Sequence, residues 1–255
     1  MFTLNDIKET DKIIVVGHRG YSAKYPENTL LAYREAALAG CDMIELDVVL
    51  SADEIAVISH DDRLERVSNG YGNISDYTID QLKSYDFGMK HGQFFTGIKI
   101  PTFEEAMLLI KTFPNVLVDV DFKIGPNIWK TLEVALEIIK KLDMFDRCVF
   151  NSCDGEIVSY LAKRGFLTVG APKSYAEKVN YSDLTYNDLW AVCIPLNELT
   201  PEDARYYLNR GVHVAVTSPD TPAQLRYALH CGANIMIVDD PSNAVKIARL
   251  LNEDR

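Results

Sequence analysis

The chain has 255 residues, 47% of them hydrophobic, so it can bury the core of one barrel-sized domain or of two small ones. Its net charge of −11 argues against a nucleic acid or an anionic membrane as a partner, so any anion that it binds needs a local positive site. Residues 1–12 lack the pattern of a signal peptide, and no apolar run approaches the ~20 residues of a membrane span, so we expect a soluble, cytoplasmic protein.

Short apolar runs rich in β-branched residues recur along the chain and predict strands. In chain order they are KIIVVG (12–17), MIELDVVL (43–50), IAVIS (55–59), NVLVDVDF (115–122), RCVFNS (147–152), FLTVG (166–170), WAVCIP (190–195), VHVAVTS (212–218) and NIMIVD (234–239).

Most of these strands are followed by a segment with apolar residues at helical spacing. The first such segment starts at the polar Asn28 and stops at Gly40. The others are residues 102–114, 128–142, 201–211, 221–232 and 241–251. Alternation of strands and helices argues for parallel strands with crossover helices, and about eight units in about 250 residues is the size of a (β/α)8 barrel. We therefore predict an α/β fold, a (β/α)8 TIM barrel in a single domain over residues 1–255. A doubly wound open sheet is the alternative, although no GxGxxG follows the first strand.

Two places break the alternation. Only SADE (51–54) separates the second and third predicted strands, which is too short for a crossover helix and predicts a hairpin or an irregular loop. Residues 61–100, called segment 61–100 below, are polar, rich in turns and weakly periodic. Because so long a connection in a compact domain is usually functional or a small insertion, we place it after the third strand as an insertion over the barrel mouth.

Charged residues collect where the predicted strands end. They are His18, Arg19, Glu45, Asp47, His60, Asp61, Asp119, Asp121 and Lys123. In a barrel the carboxyl ends of the strands form the face that carries active sites. Glu45 and Asp47 stand two apart and so point the same way, as do Asp119 and Asp121. Carboxylates in apolar strands need a partner, and oxygen ligands without a cysteine favour Mg²⁺ or Ca²⁺ over zinc.

Each of these residues also has a structural interpretation. The His-Arg pair could be a surface pair, the strand carboxylates could pair with buried lysine or arginine, and Lys123 could be a structural counter-ion. Asp119 and Asp121 could be one ligand and one structural acid. The other histidines, His91, His213 and His230, are interpreted as structural. The five cysteines contain no CxxC pair and are typical of free buried thiols in a reducing compartment.

The order of motifs from residue 18 onward closely resembles the glycerophosphodiester phosphodiesterase family. The family pattern is HRG, then PENT, then ExD, then HD followed by an "L.R.TNG.G" stretch, and this chain carries GHRG, PENT, ELD and SHDDRLERVSNGYG in that order. IPTFEEAM at 100–107 and GANIMIVDDP at 232–241 extend the similarity over nearly the whole chain. The resemblance implies a TIM barrel, a divalent metal, and hydrolysis of small-molecule glycerophosphodiesters to sn-glycerol 3-phosphate and an alcohol.

The resemblance also implies roles for particular residues. His18 and His60 match the family's acid–base pair, and Arg19 matches its phosphate-binding arginine. We expect Lys123, the lysine of the family's E-x-K strand, to bind substrate as well. Histidine suits proton transfer because its pKa lies near neutrality, and arginine offers a planar fork to phosphoryl oxygens.

The metal ligands include a departure from the family. Glu45 and Asp47 match two ligands, but the third ligand, normally a glutamate, is Asp121 here. We expect Asp119 to be the weaker candidate and to hydrogen-bond or pair with Lys123. Thr217 stands where the family usually carries a tryptophan, which concerns the shape of the alcohol pocket.

Several functions stay open at this point. We favour a metal-dependent glycerophosphodiester phosphodiesterase. A lysophospholipase D-like diesterase would show an exposed apolar patch on segment 61–100. A weakened barrel that only binds phosphorylated ligands is favoured by the substitution at Asp121, and a metal-carboxylate sugar isomerase would not need Arg19 beside His18. A homo-oligomer is also an open alternative.

Overall fold

The strands close into a barrel. The computed structural model of the chain describes residues 3–8, 10–175, 180–182 and 185–253. The strands are β1 (Ile14–Gly17), β2 (Met43–Leu50), β3 (Ala56–Ile58), β4 (Leu117–Phe122), β5 (Cys148–Ser152), β6 (Thr168–Gly170), β7 (Ala191–Pro195), β8 (His213–Thr217) and β9 (Ile235–Val238). Within the described ranges, all of them except β3 pair in parallel, and β1 pairs with both β2 and β9. The predicted (β/α)8 barrel is confirmed, and the open sheet is excluded because the ring has no break.

Most helices follow the strands on the outside of the ring, whereas α1 precedes β1 and α3 lies within segment 61–100. They are α1 (Leu4–Lys8), α2 (Leu30–Ala39), α3 (Ile79–Ser84), α4 (Phe103–Lys111), α5 (Ile128–Lys141), α6 (Gly155–Ala162), α7 (Thr185–Asp188), α8 (Pro201–Leu208), α9 (Pro222–Cys231) and α10 (Pro241–Glu253). The predicted stop of α2 at Gly40 is confirmed, because Gly40 has a φ of 88° and closes the helix as its C-cap. The N-cap is Thr29 rather than Asn28, and its side chain accepts a hydrogen bond from the amide of Ala32. No helix in the described part of the chain is long and apolar enough to cross a membrane.

The inside of the barrel changes from apolar to acidic along the strands. At the amino ends, Met43 of β2 lies in register with Leu117 of β4, and both side chains are buried. Ile7 of α1 is fully buried in the same apolar cluster. Two residues further along, Glu45 stands in register with Asp119, and four residues further along, Asp47 stands in register with Asp121. Since side chains of one face repeat every two residues, the inward face carries carboxylates towards the carboxyl ends of β2 and β4.

The break after β2 is the predicted hairpin. β3 pairs antiparallel with β2, with Val48 opposite Ile58. Segment 61–100 follows β3 and contains α3 and short 3₁₀ turns at Ile74–Asp76 and Gln93–Phe95. Its apolar side chains form a small cluster with Val57 of β3, made of Val57, Leu64, Ile74, Leu82, Phe87 and Ile100. This cluster attaches the segment to the outer edge of the hairpin.

Candidate active site

Three carboxylates meet inside the barrel mouth. Glu45 and Asp47 of β2 and Asp121 of β4 each offer an oxygen, and these oxygens lie within 4.8 Å of one another. Glu45 is 4% exposed and Asp47 is fully buried. The parallel register that pairs Asp47 with Asp121 brings the two strands' acids together. The grouping expected from the sequence is therefore present.

Two cations also contact this cluster. Lys123 Nζ lies 2.5 Å from Asp121 Oδ2 and 2.6 Å from Asp47 Oδ1, and Arg19 Nε lies 3.6 Å from Asp47 Oδ2. Burial alone would raise the pKa of Asp47, but Lys123 and Arg19 hold it well below its ordinary value. Burial would likewise lower the pKa of Lys123, but Asp121 and Asp47 hold it well above the usual range, so the ammonium stays charged. Pairing of the strand carboxylates with lysine and arginine, the structural alternative, thus occurs as well.

The charges do not balance. Glu45, Asp47 and Asp121 face two cations, Arg19 and Lys123, which leaves an excess carboxylate. Burial, and then the neighbouring Asp47, raise the pKa of Glu45 well above its ordinary range, which shows how poorly its charge is compensated. Buried carboxylate oxygens in such excess fit a divalent cation that prefers oxygen ligands. The donor set therefore fits the metal that the family resemblance implies.

The turn after β1 is anchored on the carboxylate cluster. The backbone amide of Arg19 donates to Glu45 Oε2 at 2.7 Å, and Arg19 adopts a φ of 55° that is sparsely populated for a residue with a side chain. Gly20 follows with a φ of 86°, and a Cβ there would come within 2.7 Å of the Ala32 backbone. The glycine of the HRG motif is thus required by close packing of this turn on α2.

The PENT motif supplies support that was not predicted from the sequence. Asn28 Nδ2 donates to Asp47 Oδ2 at 2.7 Å, and Tyr33 Oη donates to Asn28 Oδ1 at 2.8 Å. Asn28 is 5% exposed. Glu27 Oε1 accepts a hydrogen bond from Arg19 Nη1 at 2.8 Å. The signal in the sequence was the motif itself, but composition and spacing do not reveal which side chain of it meets which carboxylate.

Each candidate catalytic histidine has an aspartate on its Nδ1. The His18 ring lies 2.7 Å from Asp239 Oδ1, and the His60 ring lies 2.6 Å from Asp61 Oδ1. Burial alone would raise the pKa of Asp239, but the hydrogen bond and charge of His18 hold it below its ordinary value. With Nδ1 occupied, Nε2 of each ring is left to exchange a proton with a ligand. The role of Asp239, which follows β9, was not predicted.

Asp119 lies one layer deeper than Asp47 and Asp121, at the level of Glu45. It is 2% exposed and stands in register with Glu45. Its Oδ1 has no hydrogen-bond partner among the described residues, and burial, with Asp121 nearby, raises its pKa well above the ordinary range. Of the two expected arrangements, Asp119 has a hydrogen bond, with the side chain of Asn151, but it does not pair with Lys123, which instead contacts Asp121 and Asp47.

The cysteine prediction holds only in part. All five are free, and Cys41, Cys148 and Cys231 are buried, but Cys153 is exposed and Cys193 is partly exposed. Cys193 lies in β7, and its Sγ is 2.8 Å from Thr217 Oγ1 on the neighbouring strand β8.

Comparisons with known proteins agree with this geometry. The sequence profile described as "Glycerophosphoryl diester phosphodiesterase family" matches residues 18–243. A glycerophosphodiester phosphodiesterase of Caldanaerobacter subterraneus subsp. tengcongensis is 28% identical over 240 residues, covering 93% of this chain and 98% of that protein. A solved glycerophosphodiester phosphodiesterase of Thermotoga maritima has a TM-score of 0.70 at 28% identity, covering 92% of this chain and 98% of that one. A phosphodiesterase of Oleispira antarctica, solved with the product sn-glycerol-3-phosphate, shares the fold with a TM-score of 0.82 at 24% identity, covering 92% and 96%.

Proposed function

The chain belongs to the glycerophosphoryl diester phosphodiesterase family and hydrolyses glycerophosphodiesters, and we propose that it does so with a divalent cation and with His18 and His60 as acid and base. The observation that carries the proposal is the cluster of three carboxylate oxygens within 4.8 Å, to which the turn that carries His18 is tied through the Arg19 amide. The products are sn-glycerol 3-phosphate and an alcohol.

Glu45, Asp47 and Asp121 would hold the cation, either Mg²⁺ or Ca²⁺. Such an ion supplies Lewis-acid polarisation of the phosphoryl oxygens. Arg19, whose Nη1 is fixed by Glu27 at 2.8 Å, binds the phosphate through its planar guanidinium. Lys123, whose Nζ lies 2.5 Å from Asp121 Oδ2, adds a second positive charge that would face the phosphoryl oxygens.

The two histidines move the protons. One Nε2 takes a proton from the nucleophile, which is water or the substrate's own glycerol hydroxyl, and the other gives a proton to the leaving alkoxide. If the glycerol hydroxyl attacks, a cyclic phosphate forms and water then opens it. Asp239 and Asp61 support this assignment, because each holds its histidine in the tautomer with a proton on Nδ1.

The leaving alcohol would lie in a groove between segment 61–100 and the loop after β4. The groove has a volume of about 570 Å³ and runs from His60 and Lys123 past Ile74, Ile124 and Asn127. Because it begins at a proposed catalytic histidine, the group that leaves the phosphorus would enter it. We therefore propose that segment 61–100 is an insertion over the mouth of a single barrel domain and sets the headgroup preference.

A lysophospholipid substrate is a second candidate with an observation in its favour. Segment 61–100 exposes three large apolar side chains, namely Tyr71 (73%), Met89 (44%) and Phe94 (102%). A contiguous patch of exposed apolar side chains would mark a lipid-binding surface, and these three residues are the candidates to form one. The barrel that only binds ligands loses its basis, because Asp121 keeps its carboxylate in the cluster. A cytoplasmic location and the absence of a nucleic-acid partner stay predictions.

The test is release of glycerol 3-phosphate from glycerophosphocholine by purified protein. After EDTA treatment we expect no release, and we expect activity to return on addition of Mg²⁺ or Ca²⁺. Undiminished release in EDTA would argue against the metal, and Glu45→Gln serves as a ligand-deficient control. Parallel assays with lysophosphatidylcholine decide between the two substrate classes.

A further inference from the structure

Arg66, on segment 61–100, contacts carboxylates on two sides of the barrel mouth. Its Nη1 and Nη2 donate to Glu27 Oε2 at 2.6 Å and Glu27 Oε1 at 2.9 Å, which is a bidentate pair. Its Nε donates to Asp61 Oδ2. One guanidinium therefore joins the PENT turn after β1 to the loop after β3, two segments that the chain separates by more than thirty residues.

Both carboxylates use a further contact to hold a residue of the proposed machinery. Asp61 Oδ1 holds the His60 ring at 2.6 Å, and Glu27 Oε1 also accepts from Arg19 Nη1 at 2.8 Å. Burial alone would raise the pKa of Glu27 and of Asp61, but the hydrogen bonds from Arg66 hold both below their ordinary values. Both acids are thus ionised at neutral pH and able to orient a cationic or proton-bearing partner.

We infer that Arg66 is a positioning residue that orients His60 through Asp61 and Arg19 through Glu27. The inference rests on the proposed roles of His60 and Arg19. It makes segment 61–100 part of the reaction machinery as well as a wall of the alcohol groove.

The physical reason is the exposure of the groups that Arg66 restrains. The His60 side chain is 37% exposed and its partner Asp61 is 28% exposed, so burial alone leaves their rotamers free to vary. A small displacement of a catalytic group is enough to slow a reaction by up to ~10²-fold. His18 differs from His60, because its partner Asp239 accepts a hydrogen bond from the Ser22 hydroxyl at 3.0 Å and is oriented by that contact rather than by Arg66.

The first test compares Arg66→Gln with a matched control, Arg63→Gln. Arg63 lies on the same segment, pairs with Glu65 at 2.5 Å and covers the Tyr71 ring, so its partners lie outside the proposed site. We expect Arg66→Gln to lower kcat/KM by about 10- to 100-fold at an unchanged Tm, and the control to stay within about threefold. Arg66→Lys keeps the charge but not the fork, so we expect an intermediate loss. It also provides a folded variant if Arg66→Gln does not fold.

The second test separates positioning from a merely structural role. If Arg66 acts through Asp61, the kcat of Asp61→Asn/Arg66→Gln should be no lower than that of the worse single variant. If it acts through Glu27, the Ki of inorganic phosphate as a competitive inhibitor should rise in Arg66→Gln and in Glu27→Gln, and no further in the double variant. The inference would be overturned if the losses of kcat in the two single variants multiply in Asp61→Asn/Arg66→Gln and the phosphate Ki is unchanged in Arg66→Gln.

The outcomes also distinguish this inference from the proposed function. A His60→Ala variant with near-normal turnover would remove the acid–base role of His60 and the arm of this inference that runs through Asp61, leaving the arm through Glu27 to the phosphate Ki. An inactive His60→Ala variant, together with an Arg66→Gln variant that matches Arg63→Gln, would overturn the inference and leave the proposed function standing.

Discussion

Replacing Asp121 by asparagine tests the candidate metal centre most directly. Asp121 contributes one of the three clustered oxygens, at a position where the family resemblance implies a glutamate. The substitution keeps the size of the side chain and removes its charge. We expect weaker binding of Mg²⁺ and Ca²⁺ and a matching loss of activity at low metal concentration.

The size of the effect follows from the charges. When all three carboxylates are ionised, as metal binding requires, they exceed Arg19 and Lys123 by one negative charge, and Asp121→Asn removes it. A pair of unit charges about 4 Å apart interacts by roughly 4 kcal/mol at an effective dielectric constant near 20, and a divalent ion doubles this. Lys123 then pairs with Asp47 alone, and relaxation of the site offsets part of the loss. We expect metal binding to weaken by about 10²- to 10³-fold, which is about 3–4 kcal/mol.

Two further substitutions provide controls in a metal titration. Asp121→Glu keeps the charge and restores the family's ligand, so we expect binding near that of the wild type. Asp119→Asn should matter less, because Asp119 lies about 6–7 Å deeper along β4 than Asp121 and its oxygens are not among those of the three-carboxylate cluster. Binding is measured by the rise in Tm with added metal and, separately, by glycerol 3-phosphate release. If Asp121→Asn titrates like wild type while Asp119→Asn no longer binds metal, the wrong carboxylate has been assigned.

Three other predictions follow from the same structure. His18→Ala and His60→Ala should each lower kcat by on the order of 10²- to 10⁴-fold without lowering Tm, and a variant with near-normal turnover would exclude that histidine from the mechanism. Ile124→Asp, at the rim of the alcohol groove, should change the ratios of kcat/KM among glycerophosphodiesters of different headgroup by about 10-fold, whereas an equal change for every substrate would place selectivity elsewhere. Arg147 is 7% exposed and donates to four backbone carbonyls. Arg147→Met should therefore lower the free energy of unfolding in urea by roughly 3 kcal/mol. The exposed Arg164→Met should cost at most about 1 kcal/mol. Equal losses in these two arginine variants would contradict the assigned role of the buried guanidinium.

The order of strands and the main helices could be predicted because their signal is local. Each run of β-branched residues became a strand, and the helical periods became α2, α4, α5, α8, α9 and α10. The helix α6 was missed although Asp154 caps it through the amides of Glu156 and Ile157, because its apolar period is short. The helix α1 is only five residues long, and burial of Ile7 in the barrel, rather than its sequence pattern, accounts for its place.

The support around the candidate site could not be predicted, because it depends on contacts that are distant in sequence. The His18–Asp239 pair joins residues 221 positions apart, which meet where β1 and β9 close the barrel. Asn28 illustrates a competition between local and distant demands. Asparagine is a favoured N-cap residue, but the Asn28 side chain donates to Asp47 and its φ is 56°. Thr29 is therefore the N-cap of α2.

An aspartate at position 121 completes the carboxylate cluster, and the register of the barrel accounts for its reach. Asp121 stands directly opposite Asp47 on the adjacent strand, so a side chain one methylene shorter than glutamate still brings an oxygen within 4.8 Å of those of Glu45 and Asp47. Lys123, two residues along the same face, holds it in place at 2.5 Å. Because neighbouring strands lie only about 4.8 Å apart, an aspartate at this register is long enough to bring its oxygen into the cluster.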